Sequence, residues 1–199
     1  MNALLIHYST DYVFDGSGET PWLEEQETAP LNVYGSTKAA GEQAIQKSGC
    51  KYLIFRTSWV YGSKGNNFAK TMLRLASDRD ELSVICDQVG VPTSAELIAD
   101  ITAQAIPKVL ANHSHSGIYH LAASGETTWY EYACYVIEQV KLMGQELQVS
   151  NIHAIPTTEY PTPAQRPLNS RLKCAKLRKT FNLHLPHWKI GVKRMLQEI

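Results

Sequence analysis

The chain has 199 residues, enough for one domain or two small ones, and its 44% hydrophobic and 19% charged content is that of a globular protein with a buried core. Nineteen basic and nineteen acidic residues cancel, and no run of like charge stands out, so a small-molecule site is favoured over nucleic acid or an anionic membrane as partner. No apolar stretch approaches the ~18 residues a membrane span needs, and four widely spaced cysteines without a C-x-x-C pair read as reduced thiols, so a soluble, cytoplasmic protein is expected.

In chain order, Leu4 to Tyr8 is a short apolar run that reads as a buried strand delivering the hydroxyls of Ser9 and Thr10 at its carboxyl end. Residues 15–32, with Gly16, Gly18, Pro21 and Pro30, form a loop. Tyr34 to Gln46 has helix-forming composition and stops near Gly49. A second strand, Tyr52 to Ser58, again ends in hydroxyls, and Asn67 to Ala76 is a helix. Leu82 to Cys86 is a short strand and Ala95 to Leu110 a long amphipathic helix opening near Ser94. Gly117 to Ala122 is a third buried strand, followed by a helix over 128–143 capped by Thr127 or Thr128. A proline-rich stretch, Pro156 to Pro167, precedes two short terminal helices over 173–181 and 188–198.

This alternation predicts an α/β fold built on a parallel sheet with helices on both faces. Three convincing central strands are present. Such sheets ordinarily open with a glycine-rich turn at a helix terminus that receives phosphate, and no G-x-G-x-x-G or G-x-x-G-x-x-G occurs here. The expectation is therefore a truncated Rossmann-like, doubly wound sheet lacking its cofactor-pyrophosphate segment.

Tyr34 and Lys38 are four residues apart on the predicted helix, so their side chains share one face about one turn apart. A free phenol is a poor acid or base at neutral pH, and a nearby ammonium stabilises the phenolate. The spacing alone is weak evidence, because ten tyrosines give roughly 0.6 such matches by chance. The strand end before it strengthens the reading, since Ser9-Thr10-Asp11-Tyr12 places a hydroxyl where it reaches the same substrate oxygen as Tyr34. Trp59, at the second strand's end, reads either as core or as a stacking wall for a sugar ring. Asp11 and Asp15 read equally well as turn-capping carboxylates, and Asp87, Pro92 and Thr93 as a turn. The seven histidines show no ligand spacing, so no catalytic metal is expected.

A strand-end hydroxyl, a loop and then Y-x-x-x-K at a helix start resemble the short-chain dehydrogenase/reductase superfamily. Longer strings are more specific. STDYVFDG (Ser9 to Gly16), YGSTKAAGE (Tyr34 to Glu42), RTSWVYG (Arg56 to Gly62), GNNF (Gly65 to Phe68), DQVGVPT (Asp87 to Thr93) and RPLNSRL (Arg166 to Leu172) resemble the dTDP-4-dehydrorhamnose reductases, in order and across nearly the whole chain.

The resemblance implies hydride transfer from NADPH or NADH to the C4 carbonyl of dTDP-6-deoxy-L-lyxo-4-hexulose, giving dTDP-L-rhamnose for cell-surface polysaccharide. It makes Tyr34 the proton donor, Lys38 its activator and a nicotinamide-ribose contact, and Thr10 the group that orients the carbonyl, with Ser9 beside the cofactor. It puts Asp11, Tyr12 and Trp59 around the deoxysugar, and Asn67 and Arg166 at the nucleotide and pyrophosphate. Arg166 suits phosphate, since a guanidinium grips its oxygens in a fork. It also implies that residues 1–61 and 94–125 belong to the Rossmann-like part and residues 62–93 and 126–199 to a smaller, interleaved substrate-binding part. A homodimer is compatible with it.

Two other readings share the Y-x-x-x-K pattern. A nucleotide-sugar epimerase needs a further acid/base pair, and Asp11 stands where the resembling GDP-fucose synthases carry a cysteine. A regulatory subunit like the methionine adenosyltransferase beta subunit has no use for Tyr34, Lys38 and Thr10 together. The missing glycine-rich turn yields a direct expectation: the 199-residue chain binds NADPH weakly or not at all and does not turn over. Calorimetry with NADPH and a coupled assay test this, and micromolar binding with turnover contradicts it.

Overall fold

The computed structural model describes residues 3–199. The elements follow in chain order as β1 (Leu4–Thr10), α1 (Val33–Lys47), β2 (Lys51–Thr57), β3 (Val60–Tyr61), α2 (Phe68–Asp78), β4 (Glu81–Ile85), β5 (Val89–Gly90), β6 (Thr93–Ser94), α3 (Ala95–Ala111), β7 (Gly117–His120), β8 (Thr127–Thr128), α4 (Trp129–Leu142), β9 (Asn151–Ile155), α5 (Ala175–Phe181) and α6 (Trp188–Leu196). The helix starts are set by side chains that satisfy orphan backbone N–H groups. Asn32 accepts from Gly35 N, Asn67 from Lys70 N and Ser94 from Leu97 N. Thr128 and Glu131 form a reciprocal capping box at the start of α4.

The α/β expectation holds. Strands β1, β2 and β7 form one parallel sheet in the order β1-β2-β7, with Thr10 level with Thr57 and Arg56 level with His120. The central strand β2 is a continuous buried run, Leu53, Ile54 and Phe55, as a strand covered on both faces must be. On one face, Leu53 and Phe55 pack with Ile98, Ile101, Ala105 and Val109 of α3 and with Leu177 and Phe181 of α5. Near the opposite edge, Ala39 of α1 meets Val13, Phe14 and Leu172.

Two expectations are corrected. The run from Leu4 to Tyr8 is not a buried strand, because β1 lies at the edge of the sheet; Leu5 and Tyr8 are exposed, and burial begins at Ser9 and Thr10. The segment before the proline-rich stretch contains a strand that periodicity did not announce. This strand, β9, pairs in parallel with β4, Glu81 opposite Asn151. Leu82 and Val84 of this two-stranded sheet, with Val149 just before β9, pack against Ala133 and Ile137 of α4. Helices α2, α4 and α6 share a further core with Ala69, Tyr132, Val136, Trp188 and Val192.

A buried ion pair joins α1 to β2. Arg56 donates through Nη2 to Glu42 Oε2 at 2.6 Å and through Nε to Oε1 at 3.0 Å. Its Nη1 donates to the Glu24 carbonyl at 3.3 Å, and its guanidinium lies 5.0 Å from the Phe14 ring centre. The side chains are 4% and 2% exposed. Next to it, burial first and Arg56 second push the His120 imidazole down to about 3, so it is neutral. Removing one member of such a pair leaves the other buried and uncompensated. Glu42→Ala is expected to lose about 3–5 kcal/mol in urea unfolding, and the double change Glu42→Met/Arg56→Leu to recover much of it. A single-variant loss below about 1 kcal/mol would contradict this role.

Candidate functional site

The carboxyl ends of β1 and β2 open onto a cavity of about 820 Å³. This is where open α/β sheets carry ligands, because the diverging loops after the strands leave a crevice. Its walls bring together Ser9, Thr10, Asp11, Tyr12, Tyr34, Trp59 and Arg166, residues scattered from one end of the chain to the other.

Tyr34 stands on the first turn of α1 with 52% of its surface exposed, its ring edge-on to Tyr12 at 5.8 Å. Its neighbour Gly35 makes that approach feasible: a Cβ there would fall 2.1 Å from the Tyr12 carbonyl oxygen. Lys38 does not line the cavity. Its Nζ donates to the Tyr8 carbonyl at 2.8 Å, which pins the ammonium beside the strand end one turn below Tyr34.

The Thr10 hydroxyl donates to Asp11 Oδ1 at 3.1 Å and accepts from Tyr12 N at 3.2 Å. The Asp11 side chain is buried, and its Oδ2 has no partner within hydrogen-bond distance among the described residues. Burial raises the Asp11 carboxyl to about 6, against the opposing pull of the Ser170 and Thr10 hydroxyls. The hydroxyls of Ser9 and Thr57 are also buried without partners among the described residues. Burial, then the Asp11 charge, raises the Tyr12 phenol, and the Arg166 guanidinium pulls it back.

Trp59 forms a wall. It holds a left-handed backbone conformation, φ 46°, a strained state for a residue with a side chain. Its indole stacks on Trp129 with centroids 3.6 Å apart and planes 14° from parallel. Gly90 lies beneath, where a Cβ would meet the indole at 2.6 Å. Trp129 lines the cavity too and was not singled out by sequence reasoning; its Nε1 donates to Gln88 at 3.1 Å. Its place at the first position of α4, inside the Thr128–Glu131 capping box, was the available signal.

Arg166 sits on the proline-rich strap, exposed, and enters no ion pair among the described residues. Asn67 is elsewhere. It caps α2, its amide donates to the Gly62 carbonyl at 2.7 Å, and it is not among the residues that line the cavity, so its polar groups are used by the fold. Asp15 caps a turn, accepting from Ser17 N, and Asp87 accepts from the backbone and hydroxyl of Thr157. Among the described residues no group of three or more His, Cys, Asp or Glu side chains comes together to hold a metal, and no helix is long and apolar enough to cross a membrane.

The model of the RmlD substrate binding domain matches residues 1–199. The chain belongs to this family of dTDP-4-dehydrorhamnose reductases. It is 60% identical over 199 residues to the dTDP-4-dehydrorhamnose reductase of Escherichia coli K12, spanning 100% of this chain and 67% of that protein. It is 57% identical to the Salmonella typhimurium reductase, spanning 99% of this chain and 66% of that one. The crystal structure of dTDP-4-dehydrorhamnose reductase from Bacillus anthracis in complex with NADP superposes with a TM-score of 0.85 at 38% identity, over 99% of this chain and 66% of that one. The chain thus spans about two thirds of the length of these relatives and matches their carboxy-terminal part.

The burial of Asp11 makes a pH prediction. A carboxyl raised to about 6 favours the folded state when protonated; that contribution is full below the ordinary carboxylate range and is lost as pH rises through about 6. Asp11→Asn lacks this loss. Urea unfolding of both proteins from about pH 4 to pH 8 is expected to show the variant gaining on the parent, by up to about 3 kcal/mol. A constant difference across that range would show that Asp11 ionises as freely as in water.

Proposed function

We propose that this segment forms the substrate side and the proton-transfer machinery of an NAD(P)H-dependent reductase acting on the C4 carbonyl of a dTDP-linked 4-keto-6-deoxysugar. The observation that carries this reading is the convergence of Tyr34, Thr10 and the Trp59–Trp129 wall on one cavity that Arg166 also borders. The family membership supports it, and so does the NADP named for the Bacillus anthracis relative.

The residues fit the nicotinamide end of a dinucleotide. The buried hydroxyls of Ser9 and Thr57, without partners among the described residues, border the cavity beside the exposed Tyr34 phenol and offer hydrogen bonds to an amide or a ribose. When bound, NADPH or NADH supplies the hydride. The protein's own work is the proton. Tyr34 delivers it to the oxygen of the reduced carbonyl, and Lys38, anchored on the Tyr8 carbonyl, holds positive charge behind the phenol. Thr10 donates to Asp11 in the free chain, so holding the substrate oxygen requires its proton to turn from Asp11 to the sugar. The indole wall covers the apolar face of the deoxysugar and keeps water from it. Arg166 meets the pyrophosphate.

We further propose the two-part division, with residues 1–61 and 94–125 supporting the cofactor side and residues 62–93 and 126–199 the sugar-nucleotide side.

Three variants, made in a chain of the relatives' full length, test the roles. Tyr34→Phe keeps the ring and removes the proton, so kcat is expected to fall by on the order of 10²–10⁴ with little change in sugar-nucleotide affinity. Lys38→Met is expected to move the pH–rate profile alkaline and to weaken cofactor binding. Arg166→Ala is expected to raise KM and leave the pH profile in place, because phosphate is held alike in ground and transition states. Near-normal kcat in Tyr34→Phe together with loss of the chemical step in Arg166→Ala would overturn the assignment.

A further inference from the structure

The strap that carries Arg166 is held at its start by Asp87, which accepts from Thr157 N at 2.9 Å and from its hydroxyl at 2.6 Å. Beyond Tyr160 the strap runs through Pro161 and Pro163 with little support of its own. One local bond, from the Thr162 hydroxyl to the Ala164 carbonyl, lies within it. Among the described residues, a single hydrogen bond joins residues 161–166 to the rest of the molecule: Asn32 Nδ2 donates to the Gln165 carbonyl at 2.9 Å. The other end of the same amide, Asn32 Oδ1, accepts from Gly35 N at 2.9 Å and caps the helix that starts with Val33 and Tyr34.

We infer that Asn32 is a positioning residue that couples the two halves of the site: its carbonyl sets the start of the Tyr34 helix while its amide holds the Arg166 strap against that helix. The two functions use opposite ends of one planar group. A carboxylate or hydroxyl caps a helix as well as an asparagine does, but neither supplies the amide N–H₂ that reaches Gln165. The strap therefore closes over the cavity in register with the phenol, and a ligand phosphate on Arg166 is presented at a fixed distance from the reacting carbon. This coupling rests on the proposed sugar-nucleotide reading for its ligand, though not for its structural claim.

The separation of the two ends makes the test clean. Asn32→Ser keeps a neutral cap and deletes the latch; Asn32→Asp does the same with a charge; Asn32→Ala deletes both. In the 199-residue chain, backbone ¹⁵N order parameters at residues 162, 164, 165 and 166 are expected to drop in all three variants, from the ~0.85 of ordered backbone toward ~0.6 or below. Those of residues 35–47 are expected to stay at parent values in the Ser and Asp variants and to fall at the first turn in the Ala variant. Titration with dTDP is expected to give roughly threefold to tenfold weaker binding for Asn32→Ser, the loss of one hydrogen bond's worth of ordering. Unchanged strap order parameters in Asn32→Ser overturn the latch. A loosened strap with unchanged dTDP affinity overturns the coupling. A parent chain that binds no dTDP contradicts the sugar-nucleotide reading instead, and the order parameters still decide the latch.

Discussion

A guanidinium without water has to be compensated on every side, and Arg56 shows how much structure that requirement organises. Glu42 reaches it from α1, the Glu24 carbonyl from the long loop, and the Phe14 ring from the turn after β1. Phe14 is stacked in turn on Trp22, centroids 4.5 Å apart, and the Trp22 and Glu24 region is tied to β7 through the backbone and ring of His120. Because a buried charge with one partner missing is far more costly than no charge at all, these segments hold together or come apart together. The energetic value of the pair lies less in net stability than in fixing one arrangement of α1 on the sheet.

That arrangement is what the site uses. Tyr34, Lys38 and Glu42 are successive residues on one stripe of α1, so the contact that anchors Glu42 also sets the azimuth of the phenol two turns away. Arg56 is followed directly by Thr57, Ser58 and Trp59, all on the cavity wall. One ion pair thus fixes the relative placement of the Tyr34 phenol and the indole wall. The wall itself stores strain, since Trp59 keeps a left-handed backbone and depends on the missing side chain of Gly90 to lie flat against Trp129.

The strand-end hydroxyls, the Y-x-x-x-K helix and the three sheet strands were readable because each is a local pattern: a short apolar run, a helical spacing, a polar residue at a predictable end. What was not readable depends on partners distant in sequence. Asn151–Ile155 became a strand by pairing with Glu81–Ile85, seventy residues earlier in register, and its own alternation, Asn-Ile-His-Ala, is too short to announce it. Trp129 looked like the apolar start of a helix until the fold laid it on Trp59. Leu4 to Tyr8 read as buried because apolar runs usually are, whereas its edge position leaves Leu5 and Tyr8 exposed. Asn67 carries a signal of another kind: an asparagine directly before a helix reads as a cap, and the structure uses it as one.

The central claim is that the cavity at the ends of β1 and β2 receives a dTDP-sugar against the stacked indoles. Four tryptophans, Trp22, Trp59, Trp129 and Trp188, give four indole N–H resonances, and two of them border the cavity. A ¹H–¹⁵N titration of the chain with dTDP-L-rhamnose reads them directly. The account predicts saturable shifts of the Trp59 and Trp129 signals while those of the partly buried Trp22 and the buried Trp188, neither on the cavity wall, stay in place. Shifts confined to Trp22 or Trp188, or no saturable shift of Trp59 and Trp129 up to millimolar ligand, would contradict it.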